Sequence, residues 1–180
     1  VSDHYGWVNR NTGYNPWTRE GKKTVSFEIL EDLNFEVPDY VAVSVGDGNI
    51  ISGVYKGFKD FYEAGLVDGI PRLIAVQSEK SNAIAQAVNV NNGEVKNVTA
   101  TTIADSISVD QPRDGQCAVK AIIESKGIAV EVSDEEILEN IPYVASKAGV
   151  FGEPAGVASV AGIRKLLKNG SIEKNSRIVA

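Results

Sequence analysis

The residues with the clearest chemical use are Gly46-Asp47-Gly48-Asn49, set directly after the run Val41-Ala42-Val43-Ser44-Val45 and directly before Ile50-Ile51-Ser52-Gly53. A β-branched strand that empties into a glycine loop and then a helix is one way to hold a phosphate. Glycines let backbone N–H groups converge on an anion with no Cβ in the way, and the helix start adds unpaired N–H groups and the positive end of its dipole. The plainer alternative is a glycine turn joining a strand to a helix. A carboxylate beside a phosphate is unfavourable, so Asp47 is expected to point away or to cap the helix.

Composition narrows the partners. The 180 residues carry a net charge of −6 with 43% hydrophobic and 23% charged content, an ordinary profile for one soluble domain or two at most. That acidic balance argues against a broad nucleic-acid or anionic-membrane surface, while a small anionic ligand needs only a local positive site. One cysteine, Cys117, excludes an internal disulfide, and one histidine leaves no zinc pattern, so no metal is expected. Cys117 reads as a small core residue of a helix, and His4 as an end residue rather than a catalytic base. No apolar stretch approaches the roughly 20 residues of a membrane span, and the expected location is the cytoplasm.

The elements that must position the loop alternate strand and helix from residue 41 onward, which points to an α/β fold with a mainly parallel, twisted sheet flanked by helices. Strands are expected at 41–45, 73–76 and 128–132, and a last one near Arg177. The helix after the loop places Ile50, Val54, Phe58 and Phe61 on one stripe, with Gly53 and Gly57 one turn apart for close packing. Helices follow at 81–88 and from Asp114, as its cap, to Ser125. Ser133 and Glu136 have capping-box spacing and open a helix with Ile137, Ile141, Val144 and Ala148 inward, which Pro142 should kink or shorten. Pro154 suits the first turn of a helix that ends at Gly170. Residues 1–40 read differently: the turn formers at 9–18 and both tryptophans within the first 17 positions point to an ordered, irregular segment packed on something, followed by a helix over 24–33. Residues 41–180 form the α/β domain.

Several separate runs resemble one family. Asn15-Pro16-Trp17-Thr18-Arg19-Glu20-Gly21-Lys22-Lys23-Thr24 followed by Glu28-Ile29 is similar to the N-P-x-x-x-E-G-x-K-T-x-x-x-E-I run of threonine synthases, pyridoxal-phosphate enzymes of fold type II. The glycine loop lies where that family binds its cofactor's phosphate, although many members write G-N-x-G-N. Pro71-Arg72-Leu73-Ile74-Ala75-Val76-Gln77, Thr102-Ile103-Ala104, Val132-Ser133-Asp134-Glu135-Glu136-Ile137 and Gly149-Val150-Phe151-Gly152-Glu153-Pro154-Ala155 resemble later landmarks in the family's order.

The resemblance implies pyridoxal 5'-phosphate as cofactor, held by Gly46, Asp47, Gly48 and Asn49, with Glu153 beside the cofactor ring or simply in the first turn of its helix. Asn15, Arg19, Lys22 and Lys23 are candidates for the phosphate of a phosphorylated amino acid, O-phosphohomoserine, against the alternative of solvated surface. Thr101, Thr102 and Ser106 read as packing or turn-forming residues, and the acids at 134–136 as a cap rather than a metal site. No lysine stands in the family's cofactor-lysine context, so no catalytic residue is assigned. With no methionine and an end that reads like a starting strand, the chain is expected to be the carboxy-terminal portion of a longer protein, inactive alone and with apolar surface bare along one side. A homodimer is implied only by the resemblance. Alternatives are a threonine or serine dehydratase, a cysteate-forming relative, or a non-catalytic fragment that keeps only the loop. An unrelated nucleotide-binding module would need a G-x-G-x-x-G run that is absent.

Overall fold

In a computed structural model of the chain, which describes residues 2–13 and 15–180, the β-branched runs become strands of one sheet. In chain order the elements are α1 (Ser2–Tyr5), α2 (Pro16–Lys22), α3 (Thr24–Asp32), β1 (Tyr40–Ser44), α4 (Asn49–Glu63), β2 (Arg72–Ser78), α5 (Ala83–Asn89), a 3-10 turn (Asp105–Ile107), α6 (Gly115–Glu124), β3 (Ile128–Val132), α7 (Asp134–Ala148), α8 (Pro154–Lys168) and β4 (Ile178–Val179). The strands lie in the order β3-β2-β1-β4, and every pairing is parallel.

Side chains alternate across a strand, and here the alternation divides the core in two. Val41, Leu73, Ala75 and Ala129 meet Ile51, Val54 and Phe58 of α4 on one face, with α5 and α6 completing that layer. Ala42, Ile74, Val76 and Val130 meet Val157, Ala158 and Ala161 of α8 on the other, and α7 packs outside α8 through Ile137. Strands covered on both faces read as continuous apolar runs, which is why their positions were visible.

Residues ahead of β1 are fastened to this frame by α4. A Cβ on Gly53 would lie 2.4 Å from Lys22 Cβ, and one on Gly57 would lie 2.7 Å from the Lys23 carbonyl oxygen. Bare glycine backbone thus lets α2 and the start of α3 touch α4 directly. The segment at 9–18, in which Tyr14 lies outside the described residues, is partly helical rather than irregular throughout. Asn15 caps α2 by accepting the Trp17 amide at 3.0 Å, and Pro16 takes the first turn.

Three expectations need correction. The first segment is packed on α4 through α2, but not by its tryptophans: Trp7 is 64% and Trp17 77% exposed, and α1 buries no residue. Pro142 does not shorten α7, which runs through it to Ala148. Pro142 is exposed, so the carbonyl that loses its amide partner can turn to water, while the Ser133–Glu136 capping box and the inward Ile137 hold the helix. Ile50 leaves the apolar stripe of α4; it is 46% exposed, and Ile51 is buried in its place.

Candidate active site at the carboxyl end of the central strand

From β1 the chain winds to β2 through α4 on one face, yet it reaches β4, on β1's other side, through α8 on the opposite face. Winding therefore reverses beside β1, and a crevice opens at such a point beyond the strand ends. It is a cavity of about 150 Å3 lined by Thr12, Lys22, residues 44–51, Ser106 and Ile107.

Gly48 is the N-cap of α4 and has φ +90°, a left-handed conformation that glycine alone adopts freely. The Ser52 amide bonds back to the Gly48 carbonyl at 3.2 Å. Ahead of it, the amides of Asn49, Ile50 and Ile51 are those a helix start leaves outside its own ladder. Asp47 is committed elsewhere: its carboxylate accepts the Arg113 amide, and its carbonyl accepts the Asp114 amide at 3.1 Å. The loop's only acid is thereby engaged behind the helix start, as the chemistry of anion binding requires.

Asp114 does not cap α6 with its side chain. Its carboxylate accepts instead from Arg19 Nη1 at 3.1 Å and Asn49 Nδ2 at 3.2 Å, since a guanidinium bond outweighs a neutral amide cap. Asn49 Nδ2 also donates to the Thr12 carbonyl at 3.1 Å, while its Oδ1 is a buried acceptor with no partner among the described residues. Gln77, buried at the carboxyl end of β2, donates from Nε2 to the Val45 carbonyl at 3.1 Å. Its Oε1 accepts the Ile84 and Ala85 amides at 2.9 and 2.8 Å, so one side chain fixes the entry to the loop and the start of α5. Neither Asp114 nor Gln77 was singled out for this from sequence; a lone glutamine ending the apolar run Leu73-Ile74-Ala75-Val76 was the available signal.

Gly46, Asp47, Gly48 and Asn49 all line the cavity. Glu153 is exposed, immediately before α8, and lines an adjoining apolar groove of about 480 Å3 that runs along the unpaired part of β1. The groove shares Ser44, Ile50, Ser106 and Ile107 with the loop cavity. Asn15 and Arg19 line a smaller space of about 100 Å3 together with Thr12, Asn49 and Asp114.

Lys23 is not brought to these residues. Its ammonium lies 2.6 Å from Asp60 and 2.9 Å from Glu20, and those carboxylates, Asp60 foremost, raise its pKa. Lys56 and then Lys23 lower that of Glu20 to about 2. This knot ties α2 to α4. Cys117 is half-buried rather than core; Arg19 Nη1 donates to its Sγ at 2.6 Å. Burial, followed by the Asp114 carboxylate, pushes the thiol pKa up, so it stays protonated at neutral pH. His4 is exposed, with its ring edge on Tyr5. Among the described residues no group of three or more His, Cys, Asp or Glu could hold a metal, and no helix is long and apolar enough to cross a membrane.

The family model for pyridoxal-phosphate dependent enzymes matches residues 1–180. The chain belongs to that family. It is 40% identical over 168 residues to the threonine synthase of Methanocaldococcus jannaschii, covering 92% of itself and 41% of that protein. It is 39% identical over 165 residues to the threonine synthase of Halalkalibacterium halodurans, covering 92% of itself and 44% of the relative. It thus spans less than half the length of these relatives. Among solved structures it resembles the processed threonine deaminase isoform 2 of Solanum lycopersicum, with TM-score 0.78, 23% identity and coverage of 99% of this chain and 46% of that one. The threonine synthase of Escherichia coli gives TM-score 0.76 at 16% identity, covering 99% and 40%. Fold type II is therefore the architecture of the four-stranded sheet. The cavity fits the cofactor's phosphate: its wall is a helix start with free amides, and its one carboxylate is engaged by the Arg113 amide.

Proposed function

We propose that Gly46, Asp47, Gly48 and Asn49 bind the phosphate of pyridoxal 5'-phosphate through their backbone amides. On this reading the protein carrying the chain converts O-phospho-L-homoserine and water to L-threonine and phosphate. The observation that carries it is 34–40% identity to threonine synthases over 92% of the chain, across a region that includes the loop. When bound, the cofactor supplies an electron sink for carbanions on the substrate. The chain's own share is to bind and orient. The loop anchors the cofactor's tail, Asp114 and Gln77 hold the loop, and Glu153 is assigned to the ring side through the adjoining groove. Asn15 and Arg19 are assigned to the substrate end, beside Asn49. Lys23, spent on Asp60 and Glu20, is a tie rather than a ligand. A net charge of −6 suits a cytoplasmic enzyme of small molecules.

The test is product analysis with the protein at its natural length. Incubation with O-phosphohomoserine should release phosphate and threonine one for one, and threonine alone should yield no ammonia. Ammonia from threonine without phosphate release from O-phosphohomoserine would place the protein with the dehydratases and overturn this reading.

A further inference from the structure

Among the described residues, Lys22 and Asp47 are the only charged ones in the lining of the loop cavity. Asp47 is held by the Arg113 amide. The other cations of α2 and its junction with α3 are spent as well, Arg19 on Asp114 and Lys23 on Asp60 and Glu20. Lys22 is half-buried and has no ion pair or hydrogen-bond partner among the described residues. Its stem is fixed, because Gly53 lets the Lys22 Cβ press against α4 within the first turns after the loop. A half-buried lysine with no acid paired to it, in the lining of a cavity whose wall includes the start of a 15-residue helix, leaves that cavity short of negative charge.

We infer that Lys22 is a phosphate-binding cation of this cavity, adding a side-chain charge to the backbone amides of the loop. The inference rests on the reading of the loop as a phosphate site. Lys22 occupies a variable position of the N-P-x-x-x-E-G-x-K-T run and is one of four candidates by sequence for the substrate's phosphate; the structure separates it from Lys23, which is spent on Glu20 and Asp60. A phosphate ester could come from the cofactor or from the substrate, and the two are separable.

The natural-length apoprotein is titrated with pyridoxal phosphate and with pyridoxal, which lacks the phosphate, for wild type, Lys22→Gln, Lys22→Arg and Lys59→Gln. Lys22→Gln should weaken pyridoxal phosphate about tenfold, the size of one charge-assisted bond, and leave pyridoxal unchanged. Lys22→Arg should restore most of the loss, and Lys59→Gln, which removes an equal charge from the outer part of α4, should move neither constant. If only the inhibition constant of inorganic phosphate against O-phosphohomoserine rises in Lys22→Gln, the inference stands with the substrate's phosphate as the ligand. Equal weakening of both cofactor forms would reveal a merely structural role and overturn it, as would no change in any constant. A wild-type protein that binds pyridoxal as tightly as pyridoxal phosphate would overturn the reading of the loop, and the inference with it.

Discussion

Gly48→Val should lower the affinity for pyridoxal phosphate by about a hundredfold or more. A β-branched residue at φ +90° is strained by about 1–3 kcal/mol. Its Cβ would also stand 2.9 Å from Ala118 Cβ and 3.0 Å from the Asp114 carbonyl oxygen. The start of α6 cannot retreat cheaply, because Arg19, Asn49 and the Asp47 carbonyl all hold Asp114. The loop must therefore turn instead, and its amides lose their aim. Two bonds to a charged acceptor, at about 1.5–3 kcal/mol each, give about 3 kcal/mol at the least, or about two decades in affinity. Equilibrium titration of the natural-length apoprotein measures it, with Gly69→Ala as control, since a Cβ at Gly69 meets nothing within 4 Å. An unchanged dissociation constant in Gly48→Val would mean the phosphate sits elsewhere.

Asp134→Ala should lower the unfolding free energy by about 2–3 kcal/mol. The carboxylate is buried at the start of α7 and accepts from Thr102 Oγ1 at 2.5 Å, Lys80 Nζ at 2.8 Å and Ser78 Oγ at 3.4 Å. Removing it strands two buried hydroxyls, while Lys80 is exposed enough to regain water, which keeps the loss below that of a wholly buried pair. Burial works against ionisation of Asp134, but the Lys80 and Thr102 hydrogen bonds outweigh it and hold its pKa below the ordinary value. The folded state thus prefers the charged form. That stability is fully present above about pH 4, the unfolded carboxyl's range, and is lost as pH falls through the lower folded value. Urea unfolding should show wild type losing its advantage over the variant below about pH 4. A constant difference down to pH 2 would contradict this.

Legibility followed the range of the forces involved. The strands at 41, 73 and 128 were visible because burial on both faces demands apolar runs, and the α7 capping box because its partners lie three residues apart. The glycine loop was visible as a strand-to-helix connection for the same reason, since turn, strand end and helix start are contiguous. Burial of the tryptophans was not, because it depends on what lies over them. The partners of Arg19 and Lys23 were hidden: Asp114 stands 95 residues away and Asp60 stands 37 away. Choosing among neighbouring cations of one helix requires knowing which face meets which acid. α2 was missed as a helix although Asn15 and Pro16 mark its start, because seven residues with no buried side chain show no apolar period.

The most direct measurement is a crystal structure of the natural-length protein with pyridoxal phosphate bound. Phosphate oxygens should lie at hydrogen-bond distance, about 2.7–3.2 Å, from the backbone amides of the Gly46-Asp47-Gly48-Asn49 loop, with the Asp47 carboxylate still on the Arg113 amide. A phosphate seated at any other helix start, with these four amides facing solvent, would contradict the assignment of the loop.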